Sequence, residues 1–167
     1  FLRGKVGTVL ARAKSRAQSI ENLRVFRARL QEYLKSANID IVEGIWSVDV
    51  SVPNTGNVFP QAFEVAIFRV GEQFTITPLT IDYPSYDRSE KFLQRTAEPT
   101  VFLLSSEFPE FEYVANGRFI LESAALASFT LQIPDKAMMQ YCAKNELKYI
   151  GDRMVRYSLV KTSSSNA

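Results

Sequence analysis

The sequence predicts a mainly β fold: an antiparallel barrel of eight to nine strands preceded by a long basic amphipathic helix. Three observations lead there. The apolar period changes from three or four residues to two near residue 38. Short alternating segments then recur, separated by tight-turn residues, and alternation of that kind marks half-buried strands. The charge divides at the same place: residues 1–35 hold nine basic residues against Glu21 and Glu32, while the remainder holds eleven basic and sixteen acidic residues. At 167 residues, 46% of them apolar, the chain is large enough for one domain with a real core. We therefore divide it into a basic helical arm, 1–38, and a β-barrel domain, 39–167.

In the arm, Leu23, Phe26, Leu30, Tyr33 and Leu34 fall at helical spacing on one side, with Arg on the other. Gly4 and Gly7 weaken its start, so the secure helix runs over about 19–36, entered at Ser19 or continuous with the residues before it. Residues 44–52 alternate Trp46, Val48, Val50 and Val52 against Ile45, Ser47, Asp49 and Ser51, a strand with one buried face. After the turn chemistry of 53–56, residues 62–70 and 73–81 form a hairpin about Gly71-Glu72. Residues 84–95 read as a polar connection with a helical turn at 89–94. Strands follow at 100–105, 110–114, 118–123 and 127–133, with Asn116-Gly117 read as a hairpin turn. A short helix is expected at 136–143, then strands at 146–150 and 154–160. Joined by tight turns, these strands favour a barrel or sandwich, and closure removes exposed edges.

The chemistry-bearing motifs are mostly missing. With no His and one Cys, the commonest base and metal ligand is absent, so no metal site or Cys-ligated zinc is expected, and Cys142 has no partner to activate it. There is no Gly-rich phosphate loop, no Cys-x-x-Cys and no Gly-x-Ser-x-Gly. The carboxylate pairs Asp40/Glu43 and Glu107/Glu110 read as solvated turn residues, so no catalytic residue is assigned and an enzyme is disfavoured. No apolar run approaches the roughly 20 residues of a membrane span.

The arm has a lopsided sign. An ordinary surface helix intersperses acids for pairing at four-residue spacing, whereas Arg3, Lys5, Arg12, Lys14, Arg16, Arg24 and Arg27 are accompanied up to that point only by Glu21. These residues are the candidate partner-binding arm, toward an acidic protein, the chain's own acidic barrel, anionic lipid or nucleic acid. Residues 1–18 have the composition of an organellar transit peptide, although such peptides are removed from mature chains, and the chain begins at Phe1 as a fragment or processed form would. One Cys and no Asn-x-Ser/Thr acceptor fit an intracellular or organellar compartment better than secretion.

A helix leading into Gly44-Ile45-Trp46 at the first strand resembles the opening of the calycin group, which includes lipocalins, plastid fibrillins and S-type phycobilin lyases. Glu146-Leu-Lys-Tyr149, Asp152 and Val155-Arg-Tyr-Ser158 are similar to the lyases' closing hairpin, with Arg156 at the second Arg of that motif and Met154 where the first would stand. The resemblance implies a barrel with Trp46 plugging the closed end and Arg156 packed across its ring, both structural, and a plastid-like compartment. It also implies a tetrapyrrole or lipid as the bound group, with Arg156 as a candidate ligand contact. Alternation places Phe63, Ile67, Phe74, Phe119 and Phe129 inward as the remaining candidate ligand-binding residues, although twelve Phe and seven Tyr weigh toward a filled interior. The expected function is a non-enzymatic binding or assembly subunit that docks in a larger complex through its arm and barrel surface and carries an apolar or pigment ligand. A nucleic-acid-associated or coat-type β domain and a bilin lyase-like protein are the alternatives.

Overall fold

The computed structural model describes residues 9–36, 38–51, 63–80, 90–144, 146 and 153–163, with side chains from Ile20 to Thr162 within those ranges. Helix α1 (Val9–Tyr33) leads into eight strands: β1 (Gly44–Ser51), β2 (Phe63–Val70), β3 (Gln73–Pro78), β4 (Glu90–Arg95), β5 (Val101–Phe108), β6 (Tyr113–Leu121), β7 (Leu126–Gln132) and β8 (Met154–Ser163). A second helix, α2 (Asp135–Lys144), lies between β7 and β8. Each strand pairs antiparallel with the next, and β8 returns to β1, closing the barrel without an unpaired edge.

The β2–β3 turn is as expected: Val70 pairs with Gln73, and Gly71 takes φ 64°, which favours glycine. Two other readings are corrected. Residues 90–95 form β4 and not a helical turn; its inward positions are Lys91 and Leu93, so the polar–apolar alternation runs against the usual sense at Lys91 and Phe92. Asn116-Gly117 is no turn but the middle of β6, paired with Ser105 and Leu104. The chain reverses instead at a 3-10 turn, Pro109–Phe111, capped by Glu112 in the left-handed region at φ 50°. Gly117 is needed for closeness: a Cβ there would lie 3.0 Å from the Thr130 carbonyl oxygen. Of the strand read at 146–150, residues 147–150 lie outside the described residues, as do residues 1–8 of the arm.

One hydrophobic core lies inside the barrel. It gathers Trp46, Val48 and Val50 of β1 with Phe63, Val65 and Ile67 of β2, and every other strand adds alternate residues. A second cluster lies outside the wall, where Leu30 of α1 and Leu34, just past its end, bury Ile45 and Ala66 together with Leu79. Phe26 of α1 meets Phe68 of β2 with ring centroids 5.6 Å apart. The helical stripe of the arm thus covers the outer face of β1 and β2 and not the barrel mouth.

Candidate functional site

The N-terminal end of β1 is closed by the chain that links it to α1. Trp46, fully buried, donates its indole N–H to the Val42 carbonyl at 3.0 Å. The cation over its ring is not Arg156 but Lys161, with Nζ 5.0 Å from the ring centroid. Parity explains the correction. Lys161 is registered opposite Trp46 and shares the inward face of Tyr157 and Leu159, whereas Arg156 pairs with Ser51 and Thr130 and is exposed on the outer face. Lys161 also donates to the Ile41 carbonyl. Burial lowers its affinity for the proton, and the Glu43 carboxylate partly restores it.

Glu43, read from sequence as a solvated turn carboxylate, is completely buried. It accepts hydrogen bonds from the Tyr33 hydroxyl, from the Asp40 amide at 2.7 Å and from the Arg69 amide at 2.9 Å. One carboxylate thereby joins the end of α1, the closing turn and β2. Burial first, then the bond to Glu43, pushes the Tyr33 phenol up to about 12. Asp40, its expected partner, pairs with Arg95 of β4. These two carboxylates hold structure together; Glu107 and Glu110 are exposed.

Inside the barrel, Phe63, Ile67, Phe74, Phe119 and Phe129 are all buried in the core. Aromatic rings form a connected path. Trp46 meets Phe119 edge-on at 6.5 Å, Phe119 stacks near Phe129 at 5.9 Å, and Phe129 stacks on Tyr157 at 4.4 Å. A branch runs from Phe119 to Phe102 and on to Phe74, at 6.0 and 5.9 Å. Helix α2 adds Ala137, Met138, Tyr141 and Cys142 to this core from the end opposite Trp46, where β7 stops and β8 starts.

Two polar residues share that interior, and sequence reasoning missed both. Lys91 is 3% exposed and Ser106 is fully buried. They face each other across β4 and β5, with Ile76 on the other side of Lys91. The Lys91 ammonium lies 5.9 Å from the centroid of the Tyr157 ring. The signal that could have found Lys91 is topological: an even-numbered closed meander needs a strand between β3 and β5, and placing Leu93 inward forces Lys91 inward too.

Between the β5–β6 turn and the start of α2 runs a groove of about 560 Å³, with Phe111, Tyr113 and Pro134 as its apolar part and Glu112, Lys136 and Arg153 among its charges. Tyr113 is fixed by donating its hydroxyl to the Gln132 carbonyl at 3.0 Å. The Phe108 ring, two residues beyond Ser106 on the same inward face, lies 5.9 Å from the Tyr113 ring.

The arm's candidate residues are not equivalent. Arg24 pairs with Glu21 one helical turn away, and Arg27 pairs with Glu64 of β2, so the latter binds the helix to its own barrel. The side chains of Arg12, Lys14 and Arg16, like Arg3 and Lys5, lie outside the described ones. Among the described residues, no group of three or more His, Cys, Asp or Glu is arranged to hold a metal, and no helix is long and apolar enough to cross a membrane.

The fold and interior define the class: a closed eight-stranded antiparallel β-barrel, helix-clad on one side, with an aromatic core. No family model matches the chain, and no curated protein matches it. It is similar to the solved structure of a redesigned β-barrel, at 11% identity and a TM-score of 0.46, over 74% of this chain and 93% of that one.

Proposed function

We propose that this chain is a non-enzymatic binding and assembly protein of calycin type, whose barrel carries an apolar ligand and whose outer surface docks in a larger complex. The observation that carries the reading is the aromatic interior, continuous from Trp46 to Tyr157 and covered by α2 at the far end. An eight-stranded barrel is the size at which side chains either fill the interior or leave room for one small ligand. A helix entering a Gly-x-Trp strand, with a cation on the Trp ring from the last strand, supports the calycin assignment even though the cation is Lys161. Extraction of the natively purified protein with organic solvent, followed by mass spectrometry, tests the ligand. Recovery of a stoichiometric apolar molecule supports the reading; failure to recover one, together with failure to bind an added apolar fluorophore, refutes it.

Docking rests on a separate observation. Leu103, Ile120, Leu126 and Val160 are each 41–49% exposed on the outer faces of β5 to β8, a wall that α1 does not cover. Deletion of residues 1–18 is expected to weaken partner binding while the barrel stays folded, and binding insensitive to salt would remove the electrostatic part of the reading. A nucleic-acid role is disfavoured by the engagement of Arg24 and Arg27 with carboxylates of the same chain. A bilin lyase role is disfavoured by the exposed, outward position of Arg156.

A further inference from the structure

We propose that the outer wall of β5 to β8 is a self-association surface, and that the partner seated on it is a second copy of this chain, face to face across a two-fold axis. The inference rests on the docking half of the reading above and deepens it by naming the partner; it does not depend on what the barrel holds.

Strand register joins four half-exposed apolar residues into one feature. Leu103 pairs with Arg118 and Val101 with Ile120, so Leu103 and Ile120 are diagonal neighbours. Ile120 pairs with Ser128, which sets Leu126 one rung further in the same direction, and Leu126 pairs with Val160. The four make an oblique stripe over four adjacent strands, all on the outer face. A lone surface leucine needs no explanation, whereas a contiguous apolar stripe marks a contact surface. The barrel is closed, so association by strand addition has no edge to use and must go face to face. Since α1 covers β1 and β2, the β5 to β8 wall is the face left open.

The charges beside the stripe are sorted by sign. On one side stand Arg118, opposite Leu103, and Arg156, two outward positions before Val160 on β8. On the other stand Glu98, in the turn leading into β5, and Glu122, just past the end of β6, which accepts a bond from Ser128 at 3.4 Å. All four are exposed, and Asp49 and Glu107 lie beyond the stripe's ends, on β1 and toward the β5–β6 turn. Among the described residues, neither arginine has a carboxylate within ion-pair distance. A two-fold axis along the stripe lays apolar residues on apolar residues and brings each copy's basic side onto the other's acidic side. A polyanion on the same wall would meet Glu98 and Glu122, and a polycation would meet the arginines. The chain's net charge of +2 sets little repulsion between copies. With strands about 4.8 Å and outward rungs about 6.7 Å apart, the face measures roughly 20 by 20 Å, about half of what each partner buries in a standard interface, so the dimer is a reversible one of micromolar affinity.

Sedimentation velocity of the full chain over about 1 to 500 µM reads the equilibrium. The unmodified protein should pass from monomer to dimer across that range, and Ile120→Lys should raise the dissociation constant at least about tenfold with an unchanged circular dichroism spectrum. Should Ile120→Lys fail to fold, a charge exchange at exposed positions still decides. A chain carrying Arg118→Glu and Arg156→Glu, and another carrying Glu98→Arg and Glu122→Arg, should each stay monomeric alone at low salt and associate when mixed. Self-association of either variant at the unmodified affinity, or a mixture that stays monomeric, overturns the proposal. So does an unmodified chain that is monomeric throughout. In that case the docking reading stands if the natively purified protein runs in a larger complex with other chains, and falls as well if the native protein is itself a monomer.

Discussion

Replacing Trp46 and Lys161, singly and together, measures how the closed end of the barrel is held. Trp46→Ala removes a fully buried indole and its bond to the Val42 carbonyl, and truncations of this kind cost about 3–5 kcal/mol. Lys161→Met keeps most of the stem and removes only the charge, which lies 5.0 Å from the Trp46 ring and donates to the Ile41 carbonyl. A partly desolvated cation–π contact contributes about 1–2 kcal/mol, and partial solvation of the ammonium holds its hydrogen bond near the low end, so a loss of about 2 kcal/mol is expected. Because both single changes remove the same ring contact, the double variant should fall short of their sum by about 1 kcal/mol. Arg156→Ala, on the exposed outer face, should stay within about 0.5 kcal/mol. Urea unfolding followed by far-ultraviolet circular dichroism is the assay, since Trp46 is the chain's one tryptophan and fluorescence is lost in half the variants. Additive Trp46 and Lys161 losses, or coupling between Trp46 and Arg156 instead, would refute the reasoning.

Gly117→Ala should cost about 1–3 kcal/mol, since its Cβ meets the Thr130 carbonyl at 3.0 Å. Gly71→Ala, with open space around it but φ at 64°, should cost only about 1–2 kcal/mol of backbone strain; urea midpoints in the reverse order would contradict the packing at β6. The Tyr33 phenol ionises near 12 in the folded chain, above its ordinary value of 10. Between those limits the native state therefore holds a proton that the unfolded chain releases, and stability falls as pH rises through the window. Unfolding midpoints from pH 9.5 to 12 should fall less for Tyr33→Phe than for the unmodified protein, and parallel profiles would dissociate Tyr33 from Glu43. Burial raises the Cys142 thiol above its ordinary range. Its alkylation by iodoacetamide at pH 8 should be roughly tenfold or more slower in the native protein than in urea, and equal rates would place α2 off the barrel end.

The architecture was legible in the sequence because its signals are local. The change of period near residue 38, the alternation of β1 and the Gly71-Glu72 turn depend on residues within a few positions of one another, and all reappear in the structure. The apolar stripe Phe26, Leu30 and Leu34 was equally readable, but nothing within the helix says which surface covers it; only the fold sets it against Ile45 and Ala66. Asn116-Gly117 has the composition of a turn, yet the same glycine serves where a neighbouring strand approaches too closely for a Cβ, and that neighbour is contributed by β7. Arg156 was chosen by motif, whereas the ring of Trp46 takes the cation that closure brings opposite it, five residues later and on the other face of β8. Lys91 shows the same limit most sharply. A two-residue period determines which side chains share a face, but which face turns inward is decided only when the eight strands close, and closure put the ammonium inside with Leu93 because burying that leucine on one rung fixes the direction of every second residue of β4.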